Sequence, residues 1–168
     1  IPRNPALVLP ERHLGLVLPG EVSAFENFLN EAASVIGDYV DLTKFQAIAA
    51  PLAEMEPDRP GLAPLGQRIA IARDDAFAFA YPHLLDGWRA MGAELRFFSP
   101  LSDEAPATDA DAVFLPGGYP ELHGGALATA NAFKSGLMAA RDRGALIYGE
   151  CGGFMVLGEA LVDKAGVR

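Results

Sequence analysis

Ile147-Tyr148-Gly149-Glu150-Cys151-Gly152-Gly153-Phe154-Met155 reads IYGECGGFM and holds the only cysteine of the 168-residue chain. The apolar run from Ala145 to Tyr148 reads as a strand, and helix-like sequence begins at Phe154 and runs toward Leu161. Cys151 therefore falls on the turn between them. Gly149-x-Cys151-x-Gly153 is the nucleophile-elbow pattern, with Cys in place of Ser. So sharp a turn forces its central residue into a strained conformation and needs small neighbours. It lifts the side chain above the carboxyl edge of the sheet, where open α/β sheets bind ligands. The bland alternative is a buried structural cysteine beside packing glycines.

Working upstream, strand and helix patterns alternate. Arg68–Ala72 (RIAIA), Glu94–Phe98 (ELRFF) and Ala112–Leu115 (AVFL) read as strands. Pro82–Met91 and Ala126–Arg143 read as helices, with Gly92 and Gly144 as their stops. This alternation predicts an α/β fold: a mostly parallel sheet with helices on both faces. The third strand ends in Pro116-Gly117-Gly118-Tyr119-Pro120-Glu121. Parallel strands end at one edge, so this glycine turn can lie beside Cys151 and turn backbone N–H groups toward a developing oxyanion. Taken alone it reads as an ordinary strand-exit turn.

The first 50 residues read differently. His13–Leu18 (HLGLVL) looks like a strand. Val22 to Ile36 carries apolar residues at helical spacing with Gly37 as the stop, and Leu42–Ala50 reads as a second helix. One strand and two helices cannot bury their own faces well, so this piece reads as the end of another domain. Residues 51–66 hold Pro51, Pro57, Pro60 and Pro64 and read as a linker.

Net charge −9 without a Lys/Arg cluster argues against nucleic acid and against anionic membrane surfaces as partners. No apolar run is long enough to span a bilayer. The start IPRNPALVLPERH lacks a signal-peptide layout and an initiator methionine, so the chain reads as a piece of a longer protein. A single cysteine fits a reducing cytoplasm.

Several phrases together carry a family resemblance. PGG at Pro116–Gly118 followed by GECGG at Gly149–Gly153 resembles the class I (triad) glutamine amidotransferase domain. GGYPELH (Gly117–His123), YGECGGFMVLG (Tyr148–Gly158), AELRFFSPLSDE (Ala93–Glu104) and LPERHLGLVLPGE (Leu9–Glu21) narrow the resemblance to the cobyrinate or hydrogenobyrinate a,c-diamide synthases of corrinoid biosynthesis. It implies a flavodoxin-like amidotransferase domain, here C-terminally incomplete, over 67–168. Residues 1–50 would be the tail of an ATP-dependent synthetase domain, and 51–66 the linker. Cys151 would be the glutaminase nucleophile, with the backbone N–H groups of Gly118 and Gly152 as oxyanion donors and Tyr119, Pro120 and Glu121 lining the glutamine pocket. Glutamine and a corrinoid acid would be the substrates, with ATP and Mg²⁺ serving the synthetase domain; a homodimer is left open. The triad histidine and carboxylate would lie beyond Arg168, leaving the chain poorly active alone. Two alternatives stand: cobyric acid synthase or another glutamine-dependent ligase, and a non-catalytic α/β scaffold or interaction module.

The remaining candidates weigh less. His13 sits at a strand end, near nucleotide or simply on the surface. His83 opens a helix and reads as structural or exposed. His123 follows the glycine loop and is a remote substitute base. Glu150 adjoins Cys151 and points elsewhere, which suits a hydrogen bond bracing the turn. Trp88 reads as core. Asp103, Glu104, Asp109 and Asp111 match no cation-loop spacing and read as a solvated loop.

Overall fold

The computed structural model describes residues 3–12, 17–50, 61–162 and 166. The chain divides into two compact units, Ile1–Pro57 and Asp58–Arg168. In the first, α1 (Phe25–Tyr39) and α2 (Leu42–Ile48) follow two short 3-10 turns. Asp41 caps α2 by accepting from the Lys44 N–H at 3.0 Å. The helix α1 does not stop at Gly37 but continues to Tyr39. A lone glycine lowers helix stability by only about 1 kcal/mol and need not end a helix. Most of the expected strand at 13–18, His13 included, lies outside the described residues, and so do ten residues of the expected linker.

The second unit is built on β1 (Arg68–Ala72), β2 (Glu94–Phe98), β3 (Ala112–Leu115) and β4 (Leu146–Gly149). All pair in parallel, in the order β2-β1-β3-β4. Its helices are α3 (Pro82–Ala90), α4 (Gly124–Thr129), α5 (Asn131–Asp142) and α6 (Gly152–Val156). The central strands β1 and β3 are buried on both faces, as their unbroken apolar runs require. Alternate residues feed two cores. Ala70, Ala72, Val113 and Leu115 meet Leu127, Ala130, Phe133 and Ala140 on one face. Ile69, Ile71, Ala112 and Phe114 meet Leu85 and Trp88 of α3 on the other. Trp88 stands edge-on to Phe114, ring centroids 5.7 Å apart. Each large side chain so buried contributes about 1.5–3 kcal/mol. This is the doubly covered α/β sheet that the alternation predicts. Among the described residues no helix is long and apolar enough to cross a membrane.

Two helical stretches depart most from the sequence reading, and β4 lies one residue later than expected, at Leu146–Gly149. The single helix expected over 126–143 is two helices, α4 and α5, broken at Ala130 (φ −72°, ψ 81°). Thr129 turns its hydroxyl back onto the carbonyls of Gly125 and Ala126, a competition with the backbone that favours a helix end. The new start at α5 is capped from outside, the Phe133 N–H donating to Asp103 Oδ1 at 3.0 Å. The last helix begins at Gly152 rather than Phe154 and ends at Val156. The glycines flanking Cys151 on its far side are thus the first turn of the helix, not the link to it.

The four acidic residues read as a solvated loop are all engaged. Glu104 accepts from the Ser99 N–H at 2.7 Å and Asp103 caps α5. Asp109 and Asp111 pair with Arg96 and Arg68 at the amino edge of the sheet. Asp111 accepts from both the guanidinium and the N–H of Arg68, and these two bonds, the guanidinium first, hold its carboxyl below the ordinary range. A carboxyl lowered on folding stabilises fully above its unfolded pKa and loses that contribution as pH falls through the folded one. The pair is exposed, so the effect is small. The Tm advantage of the wild type over Asp111→Asn should therefore be modest at neutral pH and close up as pH drops below the carboxylate range. Melts across pH check this, and a gap independent of pH would refute it.

Candidate active site

Because all four strands run the same way, the loops after β1, β3 and β4 emerge at one carboxyl edge. Strand order reverses between β1 and β3, so the loops diverge there and leave a crevice. The backbone between β4 and α6 makes the sharp turn. Cys151 has φ 51° and ψ −117°, a region that costs a side-chain-bearing residue about 1–3 kcal/mol. Three hydrogen bonds hold the turn against that cost. Glu150 N–H donates to Leu115 O at 3.0 Å, Gly153 N–H to Glu150 O at 2.8 Å, and Met155 N–H to Cys151 O at 3.2 Å. The Cys151 side chain is exposed, so it does not serve as packing.

The glycine loop after β3 lies directly against the cysteine. A Cβ built on Gly117 would sit 3.3 Å from Cys151 Cβ. One built on Gly152 would sit 2.9 Å from Gly118 O and 2.6 Å from Pro120 Cδ. The structure thus brings Cys151, Gly118 and Gly152 together, and only glycine lets the two backbones approach so closely. Both glycines are buried. Among the described residues no acceptor is found for the N–H of Gly118 or of Gly152. Buried donors without a partner are uncommon and call for an explanation.

The other sequence candidates are placed as follows. Tyr119 is 1% exposed, its ring edge-on to Phe79 with centroids 5.4 Å apart, and Pro120 is fully buried. What these two can offer a ligand is backbone rather than side chain. Glu121 is half-buried in the 3-10 turn Pro120–Leu122. His123 joins that turn to α4, its N–H donating to Pro120 O and its carbonyl accepting from Leu127. His83 is exposed, its ring 5.9 Å from that of Tyr81.

Two contributors come from the loop after β1, on which the sequence reading is silent. Phe79 pairs with Gly117 in an antiparallel bridge, its N–H donating to Gly117 O at 2.9 Å. Tyr81, the residue before α3, donates its hydroxyl to Glu150 Oε1 at 3.0 Å. That bond, and then the carboxylate charge, hold the phenol above its ordinary pKa, with smaller contributions from burial and from Cys151. Tyr81 therefore remains a donor throughout the neutral range and ties the side chain before the cysteine to α3. The signal in sequence was topological: the stretch Arg73–Tyr81 leaves β1 at the same edge as the two glycine turns.

Residues 68–168 match the CobB/CobQ-like glutamine amidotransferase domain. The hydrogenobyrinate a,c-diamide synthase of Brucella anthropi is 56% identical over 169 residues, covering 99% of this chain and 39% of that protein. The enzyme of the same name from Sinorhizobium sp is 57% identical over 168 residues, covering 99% and 39%. That of Mesorhizobium japonicum is 52% identical over 168 residues, covering 98% and 37%. The chain spans about two fifths of the length of these curated relatives. No solved structure matches it. With the elbow, the glycine loop and the parallel sheet all lying inside the matched segment, the chain belongs to the CobB/CobQ-like glutamine amidotransferase family.

Proposed function

We propose that Cys151 is the nucleophile of a glutaminase that supplies ammonia for amidation of the a- and c-acetate carboxylates of hydrogenobyrinate. One observation carries this reading: an exposed cysteine, held at positive φ on a strand-to-helix turn, adjoins two buried glycines, Gly118 and Gly152, whose N–H groups have no acceptor among the described residues. Neither a scaffold nor an interaction module needs that arrangement. The thiolate attacks the side-chain amide carbon of glutamine, and the carbonyl oxygen becomes an oxyanion. The N–H groups of Gly118 and Gly152 receive it, already oriented and already desolvated. The C–N bond breaks, ammonia leaves with a proton, and water hydrolyses the γ-glutamyl thioester to glutamate.

Tyr119, Pro120 and Glu121 border the space glutamine would occupy, and the first two contribute through backbone. Residues 1–50 contain no glycine-rich phosphate loop of the P-loop type. We therefore assign ATP and Mg²⁺ to the part of the relatives' length that this chain does not span. When bound there they would activate the corrin carboxylates for amidation. A cytoplasmic location accords with the single free thiol.

The decisive experiment is Cys151→Ala in the full-length enzyme, assayed with glutamine and with ammonia. A second test concerns the 168 residues alone. If the triad histidine lies beyond Arg168, as the family resemblance implies, ammonia leaves and water attacks without a positioned proton carrier. Such a carrier is worth about 10²–10⁴-fold. Glutamate release from the 168-residue chain should fall below that of the full-length enzyme by a factor of this order. Comparable turnover would place the proton transfers on a residue already present, His123 first.

A further inference from the structure

We propose that Asp74 is a positioning residue for the glutaminase step, holding the Gly117–Gly118 loop against Cys151 through residues 76–79. The inference rests on the reading just given, in which that loop supplies an oxyanion donor. Asp74 is the second residue after β1. Its half-buried carboxylate takes three donors at once: Ala76 N–H on Oδ1, and Leu101 N–H and Ser99 O–H on Oδ2, each at 2.9 Å. Leu101 and Ser99 belong to the loop after β2, which the Ser99–Glu104 bond and the Asp103 cap on α5 make rigid. The carboxylate thus fastens the loop after β1 to a fixed neighbour.

What Asp74 fastens is the seat of the glycine loop. Ala76 and Phe77 are wholly buried. A Cβ on Gly118 would lie 2.7 Å from the Ala76 carbonyl carbon and closer still to its oxygen, and 3.0 Å from Phe77 Cα. The Gly118 backbone therefore lies flat on this segment. Two residues on, the Phe79 N–H holds Gly117 O and the Phe79 ring meets Tyr119. Gly117 and Gly118 in turn abut Cys151 and Gly152. A connected set of backbone contacts runs from Asp74 to the two N–H donors. A donor aimed at an oxyanion tolerates little error, since a displacement of about 1 Å costs roughly a hundredfold in rate.

Asp74→Asn tests this in the full-length enzyme. Asparagine keeps the shape but replaces one oxygen with an NH₂ group. Ser99 can turn its hydroxyl to accept from it, whereas Ala76 N–H and Leu101 N–H cannot both keep an acceptor. The expected result is a fall in kcat for glutamine-supported amidation of about tenfold to a hundredfold, with KM for glutamine nearly unchanged. Ammonia-supported amidation and the rate of Cys151 alkylation by iodoacetamide should stay near wild type. General loosening of the fold would instead lower the Tm of the amidotransferase unit and change KM for glutamine and the alkylation rate along with kcat, and that outcome, like an unchanged kcat, overturns the proposal. Should the variant be insoluble, Ser99→Ala removes one of the three donors and must give a smaller fall of a few-fold in the same parameter alone; an unchanged kcat there overturns it equally. Cys151→Ala assayed alongside separates the two failures. If it keeps glutamine-supported activity, the glutaminase reading fails; if it loses that activity while Asp74→Asn retains its kcat, only the role of Asp74 fails.

Discussion

Cys151→Ala in the full-length enzyme is expected to lose glutamine-supported amidation by on the order of 10⁴-fold or more, while amidation supported by free ammonia stays near wild type. The selectivity follows from chemistry. Ammonia added to the solution bypasses the thioester, so only the route through Cys151 is cut. Loss of both activities would mean that the substitution damages the protein generally. Retention of both would mean that Cys151 is not the nucleophile.

The structure argues against general damage. Cys151 makes its hydrogen bonds through its backbone, and its exposed side chain packs little. Alanine keeps the Cβ and so carries the same strain at φ 51°. Glycine does not. Cys151→Gly should be as inactive with glutamine as the alanine variant, yet more stable than it by roughly 1 kcal/mol, because the left-handed region costs glycine nothing. Finding the two variants equal in Tm would indicate that the elbow is not under backbone strain. A glycine at this position is the cheaper solution for folding, which makes the cysteine a feature explained by chemistry rather than by stability.

How much of this was legible in the chain itself depends on whether the signal was local. Three of the four strands have the bounds read from the sequence; for β1 and β3 the signal is four consecutive apolar residues, which a strand buried on both faces needs. The elbow was legible because strain, small neighbours and the lone thiol fall within five residues. The break at Ala130 was not, because its cause is shared between Thr129 and Asp103, 27 residues away. Nothing in GALATANAFKSG punctuates a helix in the way proline does. Residues 73–81 were silent for a related reason. Asp74, Phe79 and Tyr81 act on partners brought near by the sheet, namely Leu101, Gly117 and Glu150. A carboxylate that ties two loops looks in sequence like any surface aspartate.

Gly153→Ala is the substitution expected to hurt the fold most. A Cβ at this position would lie 2.5 Å from the carbonyl carbon of Leu115, closer still to its oxygen, and 2.8 Å from Pro116 O. The obstacle is backbone at the end of β3, not the tip of a side chain that can rotate away. Leu115 O already accepts from the Glu150 N–H, and Leu115 pairs with Gly149 across the β3–β4 ladder. To admit the methyl group, α6 must separate from β3 or the end of β3 must move, and either motion breaks bonds that hold the elbow. Overpacking of an ordinary core costs about 1–3 kcal/mol, and a clash with fixed backbone belongs at or above the top of that range. For a unit of this size about 1 kcal/mol corresponds to 4–8 °C, so the unfolding transition of the amidotransferase unit should drop by more than about 10 °C. Gly125→Ala is the control. It lies in α4 with nothing within 4 Å of its Cβ position, and alanine there should be neutral or stabilise by up to about 1 kcal/mol. Calorimetry of both variants in the full-length enzyme makes the comparison. Similar transitions for the two would mean that α6 can move off β3 cheaply, and a turn so loosely seated could not hold Cys151 at positive φ.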